Sequence, residues 1–562
     1  MSTEFKMTGN RKQKTLIAIA IAAIVIAGII VYQILFAPPT QQNIGQTTQS
    51  TYAKKEKIVV YAYRDAITGI DPGAEDDTGI VVLGAVYEPL LYYDPIKKEF
   101  KPALAISWSR VNETSWIFKL RPNVRFHDGS LLTAESVRFS ILRNKALYEE
   151  KGIGAGWIWD AVEDVVVLND TAILFKLKYP APIDLISAAS YSSYIYCPNV
   201  LNYSKASNLT DERVRLWFES GNDCGTGPYK IASYKPESEV VLRKFDEWWG
   251  WKEINNPNAP DVVVIRIVEE PAQQESGLLS GDIDIATGVA KSSIPNLAKL
   301  GYAVYNQTTF HNYILMFNTR RWPTNITEFR LAIAYATPWN EIVDFAFQGY
   351  GLLGSGLVPH GYPGYVPNLR YEYNLTKAKE ILDRLGIKDV KLELEIVITA
   401  GYEEEKRFAS LLKSSLRQLG IDLDIIALPW EQVKERGASV WTNAESAPHL
   451  IINDWWPTYP TPYDYLYMLH SNNTIWNWSG FVNSDYDSLI DSALSLEGKD
   501  FEKALEMYEQ AQRIVFDNVV AINLCDSVQP YLYDPDKIRL SEDAFNPMYM
   551  YVIFFQYIEV LK

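Results

Sequence analysis

The sequence is poor in the residues that build metal and catalytic sites, with three cysteines and five histidines among 562 residues. The histidines stand at positions 127, 311, 360, 449 and 470, without the spacing of a metal-binding motif. The sequence contains no H-E-x-x-H, paired-cysteine or G-x-S-x-G motif. We therefore expect a protein without a metal, a cofactor or catalytic residues.

The three cysteines cannot all pair with one another. Cys197 and Cys224 bracket a polar loop. They would form a disulfide outside the cell, or they would remain two buried thiols. Cys525 lies in the run AINLCDS and is interpreted as a small buried residue.

Charge is absent from one long segment near the N-terminus. The 22 residues Leu16 to Ala37 are uncharged and would span about 33 Å as a helix, enough to cross a bilayer. They predict a cytoplasmic basic segment at 1–14, a transmembrane anchor at 15–37 and a polar stalk at 38–56. A cleaved signal peptide is the alternative interpretation of the same segment.

The rest of the chain is strongly acidic. The net charge is −16, and because residues 1–53 carry +3, residues 54–562 carry −19. Such a charge argues against a nucleic acid or an anionic lipid surface as a partner. At this length we expect two or three domains.

Glycosylation sequons are more frequent than composition alone predicts. The nine N-x-S/T sequons begin at Asn112, Asn169, Asn202, Asn208, Asn306, Asn325, Asn374, Asn472 and Asn477. They predict a glycosylated external surface. In a chain without a cysteine placed for a lipoprotein anchor, they also favour an archaeal source.

Residues 116–140, WIFKLRPNVRFHDGSLLTAESVRFS, are the most informative run in the chain. The alternation from Trp116 to Leu120 predicts a half-buried strand, and Pro122-Asn123 predicts a turn. A short extended piece and a second turn follow. Thr133 is then placed to cap a helix. The run therefore predicts a strand, two turns and a helix.

Word for word, this run resembles the signature of the family 5 extracellular solute-binding proteins, the dipeptide and oligopeptide branch of ABC transport. Further matching motifs are VYEPLLYYDP at 86–95, GTGPY at 225–229, DEWWGW at 246–251, SGDIDI at 280–285 and the strand ending in Phe317-Asn318-Thr319. The resemblance covers roughly residues 57–562. It implies an external receptor that delivers a ligand to ABC permease subunits, rather than an enzyme.

The resemblance implies an α/β, two-lobed periplasmic-binding-protein fold with three domains. Domain I would comprise 57–87, 222–306 and 526–562, with domain II inserted at 88–221. Domain III, the opposing lobe, would comprise 307–525. Crossover segments near 306–310 and 522–526 would form the hinge, and the ligand would stabilise the closed state.

The loop DWWPTYPTP at 454–462 holds the main candidate site residues. In peptide-binding members the resemblance implies W-x-x-D-x-x-x-P here, with the Asp pairing with the ligand's α-ammonium. Aligning Trp455 and Pro462 places Thr458 at that position, and a hydroxyl cannot neutralise an ammonium. Asp454 or Asp464 would compensate if the loop is shifted.

Because of this departure, an oligosaccharide is expected slightly more than an oligopeptide. Indole faces suit sugar rings. The candidate ligand-binding residues are Asp454, Trp455, Trp456, Thr458, Tyr459, Trp430, Trp441, Trp157 and Trp159. The alternatives from other classes are a surface glycan-acting enzyme, which needs two facing carboxylates, and a structural surface protein.

Overall fold

The computed structural model describes residues 56–95, 97–387 and 392–561. Its strands are β1 (Ile58–Tyr63), β2 (Leu91–Asp94), β3 (Glu99–Pro102), β4 (Ala105–Asn112), β5 (Ser115–Leu120), β6 (Val162–Asn169), β7 (Ala172–Leu177), β8 (Tyr229–Lys235), β9 (Glu239–Lys244), β10 (Val262–Ile267), β11 (Ile285–Ala286), β12 (Ala303–Phe317), β13 (Gly351–Leu353), β14 (Leu392–Thr399), β15 (Ile421–Leu428), β16 (Leu450–Trp455), β17 (Ala521–Tyr533), β18 (Ile538–Leu540) and β19 (Ile558–Val560).

Helices occupy much of the chain between these strands. They are Ile80–Val86, Ala134–Lys151, Ile183–Ile186, Val200–Ser204, Glu212–Glu219, Trp251–Ile254, Pro271–Ser280, Ile294–Lys299, Thr327–Ala336, Trp339–Glu341, Leu375–Arg384, Glu403–Arg417, Trp430–Ala438, Pro462–Leu466, Ser484–Glu497 and Phe501–Asp517. Among the described residues, no helix combines the length and the apolar content needed to span a bilayer. The predicted basic segment and anchor, and the stalk up to residue 55, lie outside the described residues.

One mixed sheet runs through the described body, in the order β15-β14-β16-β12-β17-β11-β1-β10-β9-β8. β1 pairs in parallel with β10 and β11, and β14 pairs in parallel with β15 and β16. β16 begins with the apolar run Leu450-Ile451-Ile452 and is buried as far as Asp454. That pattern is expected of a strand covered on both faces.

Two long strands, β12 and β17, join the two ends of this sheet. They pair antiparallel from Ala303 opposite Tyr533 to Met316 opposite Ala521. The register shifts between Thr308 and Asn312, within and just beyond the first predicted crossover at 306–310. The domain boundaries drawn from the sequence stay a prediction, and we keep domains I, II and III as names for those ranges.

A second sheet, β4-β5-β7-β6, lies within domain II. The run 116–140 contributes β5 and the helix Ala134–Lys151, whose N-cap is Thr133 as predicted. The short extended piece between them forms only an isolated bridge between Arg125 and Leu131. Phe118 and Phe175 are fully buried and pack edge to face in the core of this domain.

A buried ion pair ties domain II to domain I. Arg143, on the helix Ala134–Lys151, donates to both carboxylate oxygens of Asp71 at 2.8 and 2.5 Å. The two side chains are 1% and 0% exposed. At this burial each charge depends on the other for its solvation.

Removing one partner of this pair tests its role in stability. Arg143→Met leaves the Asp71 carboxylate buried without its cation, and we expect a loss of about 3–5 kcal/mol in the free energy of unfolding. Chemical denaturation measures this loss. Arg138→Met, on the same helix but half exposed, is the matched control and should change stability by less than about 1 kcal/mol. Equal effects of the two substitutions would contradict the assignment.

Candidate functional site at the junction of the domains

Asp454, near the end of β16, lies where domain III meets domains I and II. Asp454 stands opposite Tyr313 of β12 and is 7% exposed. Its Oδ2 atom lies 2.9 Å from Nε2 of His311. His311 lies within the register shift of β12, so the irregular strand turns the imidazole toward the end of its neighbour. We call this region the junction.

The loop after β16 is bonded to domain II. The backbone N–H of Ser190 donates to the carbonyl oxygen of Thr458 at 2.8 Å, and its hydroxyl donates to the Pro457 carbonyl at 3.0 Å. The indole N–H of Trp456 donates to the Tyr191 hydroxyl at 3.0 Å. Loop and domain II are therefore held together by both backbone and side-chain hydrogen bonds.

Arg64, the residue that follows β1, lies at the centre of the junction. Its guanidinium carbon is 5.0 Å from the ring centroid of Tyr402 in domain III and 5.5 Å from that of Tyr551 in domain I. Its Nε atom is 3.3 Å from a carboxylate oxygen of Asp65. Arg64 thus bridges the two domains through cation–π contacts.

An ion pair crosses the same junction. Nζ of Lys291 in domain I lies 2.5 Å from Oε1 of Glu404 in domain III, and both side chains are largely buried. Burial opposes the charged form of Glu404, but Lys291 and Arg64 outweigh it and lower the pKa of Glu404 to about 2. This carboxylate therefore remains ionised and fully compensated.

Carboxylates outnumber cations at the junction. The acidic residues within electrostatic range of one another or of the tyrosines here are Asp65, Asp76, Asp77, Glu404, Glu405 and Asp454, and the basic residues are Arg64, Lys291 and Lys434. Burial and the neighbouring carboxylates raise the pKa of Asp77 to about 6. The junction therefore favours a cationic group over an anionic one.

Several of the predicted tryptophans converge on this region. Trp455 packs edge to face on Trp476, with ring centroids 5.3 Å apart, and the Trp456 ring packs on His311 at 5.5 Å. Trp157 of domain II lies 5.8 Å from the ring of Tyr459. Trp430 stacks on Trp476 with ring centroids 6.3 Å apart, so Trp430, Trp455 and Trp476 form one aromatic cluster.

Two predicted tryptophans lie elsewhere. Trp159 is fully buried, stacks on Phe175 at 6.0 Å and donates its indole N–H to the Ser192 carbonyl. Trp441 donates to the Asn477 carbonyl at 2.9 Å and lies under the guanidinium of Arg320. Both side chains hold the scaffold of their own domains, and the structure does not bring them to the junction.

Two buried acids, Asp464 and Glu497, accept hydrogen bonds in and beside loop 454–462. The Thr458 N–H donates to Asp464 at 2.5 Å, and the Tyr508 hydroxyl donates to Glu497 at 2.5 Å. Burial raises the pKa of Asp464 to about 8 and that of Glu497 to about 7. Thr458 thus commits its backbone to domain II on one side and to Asp464 on the other.

These shifts predict a pH dependence of stability. Burial also raises the pKa of Glu88 to about 7 and that of Glu75 to about 8. Between the unfolded and the folded pKa values the folded state binds more protons than the unfolded state, so stability should fall as pH rises from about 4.5 to about 8. Melting temperature across this window checks the sign.

A substitution at one of these acids sharpens the test. Asp464→Asn keeps an acceptor for Thr458 but cannot ionise, so it should flatten the decline of melting temperature with pH. Asp485→Asn, at an exposed position, is the control and should leave the slope unchanged. A melting temperature that rises across the window would contradict the prediction.

The sequence interpretation missed the residues of domain I and the helix end that complete the junction. Arg64-Asp65 directly follows a buried strand, and Glu403 to Glu405 begin a helix where its dipole favours carboxylates. Both are recognisable signals. These residues come close to Asp454 only through contacts between distant parts of the chain, which the local sequence does not show.

The structure also places the predicted cysteines and glycosylation sequons. The sulfur atoms of Cys197 and Cys224 are bonded, with Cα atoms 5.6 Å apart, which favours the disulfide alternative. Of the sequons, Asn374 is half-buried and Asn477 fully buried, and the other seven are exposed. The Asn477 amide donates to three carbonyl oxygens, including that of Phe481 at 2.9 Å. That geometry argues against a glycan at Asn477.

Residues 99–477, more than half of the chain, match the model of the bacterial extracellular solute-binding proteins, family 5, middle region. The protein belongs to this family. It is thus a solute-binding protein of the ABC importer class, and the relatives named below are binding proteins rather than enzymes.

Three similar proteins show the range of the likeness. The chain is 26% identical over 512 residues to the probable D,D-dipeptide-binding periplasmic protein of Escherichia coli K12, covering 88% of this chain and 92% of the relative. It is 24% identical over 534 residues to heme-binding protein A of Haemophilus influenzae, covering 88% and 92%. The structure of DppA from Helicobacter pylori with the peptide STSA superposes with a TM-score of 0.74 at 22% identity, covering 90% and 99%.

This structural likeness confirms the predicted α/β fold with two lobes. The predicted transmembrane helix falls on residues outside the described part of the chain and stays a prediction.

Proposed function

We propose that this protein is the external receptor of an ABC importer and that it binds a short peptide at the junction. The observation that carries this proposal is the excess of carboxylates over cations where domains I and III meet; three of these carboxylates, Glu404, Glu405 and Asp454, are buried. A peptide brings an α-ammonium to such a site and a neutral sugar does not. The peptide-binding relatives support the same choice, whereas the expectation of an oligosaccharide finds no support among the relatives named here.

The aromatic side chains fit this choice as well. Trp430, Trp455 and Trp476 pack on one another. Much of their flat surface is therefore taken up by other rings rather than open to a sugar ring. Half-buried indoles beside carboxylates suit apolar peptide side chains and cations.

The proposed mechanism is closure about β12 and β17, the two strands that join the lobes. The hydrogen bonds from Ser190 and Trp456, together with the Lys291–Glu404 ion pair, join residues of opposing lobes. A ligand that contacts both lobes shifts the population toward the state in which these bonds form. The anchor at 15–37 would keep the receptor at the cell surface beside its permease subunits.

Ligand screening tests the peptide proposal. We expect di-, tri- and tetrapeptides to raise the melting temperature, because a ligand at about 100 times its Kd stabilises the folded state by about 2.7 kcal/mol. Cello- and manno-oligosaccharides at the same concentrations should leave it unchanged. Shifts produced by oligosaccharides alone would reverse the assignment of the ligand class.

The bond between Trp456 and Tyr191 offers a test of closure. Trp456→Phe keeps an aromatic ring but loses the N–H donor, so peptide affinity should fall by about 5-fold, equivalent to about 1 kcal/mol. Isothermal titration calorimetry measures the change. Trp441→Phe removes an indole donor away from the junction and is the matched control. Equal affinities in all three proteins would remove the bond from the closed state.

A further inference from the structure

Two neighbouring glutamates on the helix Glu403–Arg417 have opposite surroundings. Glu404 is compensated by Lys291 across the junction. Glu405 is 1% exposed, and its Oε2 atom accepts the backbone N–H of Thr399 at 2.7 Å. Within the described part of the chain, its Oε1 atom has no hydrogen-bond partner. One buried carboxylate oxygen is thus left unsatisfied beside a satisfied pair.

The Thr399 hydroxyl shares this property. The Thr399 side chain is 4% exposed, and its Oγ1 atom also lacks a hydrogen-bond partner among residues 56–95, 97–387 and 392–561. Buried polar atoms are rarely left unpaired, because each costs about 1–3 kcal/mol. The Thr399 hydroxyl lies against the Glu405 carboxylate and stabilises its charged form, so the atom that another group would complete is Oε1 of Glu405.

Asp454 lies near the same edge of the sheet. Thr399 ends β14 and Asp454 lies near the end of β16, and these strands are parallel neighbours, with Val397 opposite Ile451. Their carboxyl ends therefore meet at one edge of the sheet. Burial and the charge of Asp454 raise the pKa of Glu405 well above its usual range, which places the two carboxylates within electrostatic reach.

The charged groups around this pair are already engaged. Lys291 pairs with Glu404, and Arg64 lies between Tyr402 and Tyr551 beside Asp65. His311 contacts Asp454 through Nε2. On the facing side, Asp65 and Asp77 add further negative charge. A group that compensates Asp454 and Glu405 would therefore be a compact cation with several N–H donors.

We propose that Asp454 and Glu405 together bind the ligand's α-ammonium, in place of an acidic residue at position 458; this inference rests on the proposed peptide function. An ammonium group has three donors. The carboxylate of Asp454 and Oε1 of Glu405 supply acceptors for these donors. Thr458 then needs no charge, because its role is to hold the loop to Ser190 and Asp464.

An equimolar tripeptide library and the same library after N-acetylation test this assignment. Native mass spectrometry should show that the wild-type protein retains free-amine peptides and not their acetylated forms. For a retained tripeptide measured by calorimetry, Asp454→Asn and Glu405→Gln should each weaken binding by about 30-fold or more. N-acetylation should cost these variants little further affinity.

Glu403→Gln is the matched control, since Glu403 lies in the same helical turn but is half exposed and pairs with Lys406. It should bind the free-amine tripeptide as the wild type does. Melting curves of all variants confirm folding. Wild-type retention of both libraries alike, or discrimination that survives in both variants, would overturn the ammonium site and leave peptide binding intact.

Two further outcomes are decisive. A wild-type protein that retains neither library contradicts the peptide function, and the ammonium site falls with it. A divalent cation that co-purifies stoichiometrically with the wild type and is lost in Asp454→Asn would assign the pair to a metal instead. Metal content by mass spectrometry distinguishes this outcome from the expected one.

Discussion

The antiparallel pairing of β12 with β17 is the constraint on which the rest of the structure depends. These two strands carry the sheet from one lobe to the other, with register shifts between Thr308 and Asn312 and between Tyr313 and Ile314. A bulge bends a strand and re-aims its side chains. Here it turns His311 toward Asp454, so the place where the lobes meet and the place where the polar residues converge are the same.

The electrostatics of the junction follow from that convergence. Domains I and III both contribute carboxylates, and their approach makes an acidic cluster whose domain III members are buried. Lys291 and Arg64 offset part of this charge. The remainder is a cost that the protein carries in the state described, and a cationic ligand would remove it. Closure and recognition of a cation are thus one electrostatic event.

Local patterns predicted much of the fold. The alternation from Trp116 to Leu120 became part of β5, and Thr133 is the N-cap of the helix Ala134–Lys151. Loop 454–462 was singled out as the main candidate ligand site, which stays a prediction, and the structure places this loop against Ser190 and Tyr191 of domain II. The roles of Arg64 and His311 could not be found in this way, because they arise from contacts with Tyr402 and Asp454, which lie far away along the chain. Trp159 and Trp441 were predicted to line the ligand site but hold the scaffold of their own domains. The local sequence does not distinguish a tryptophan in a core from one in a cleft.

The departure at Thr458 takes on a different meaning in the structure. A loop position is held by a few hydrogen bonds, whereas the ends of β14 and β16 are fixed by the sheet and by the first turn of the helix Glu403–Arg417. Carboxylates placed on such elements keep their geometry when the loop changes. A chain with its charge at the strand ends therefore has a loop free to serve closure alone. The motif that marks the family then no longer has to carry the residue that selects the ligand.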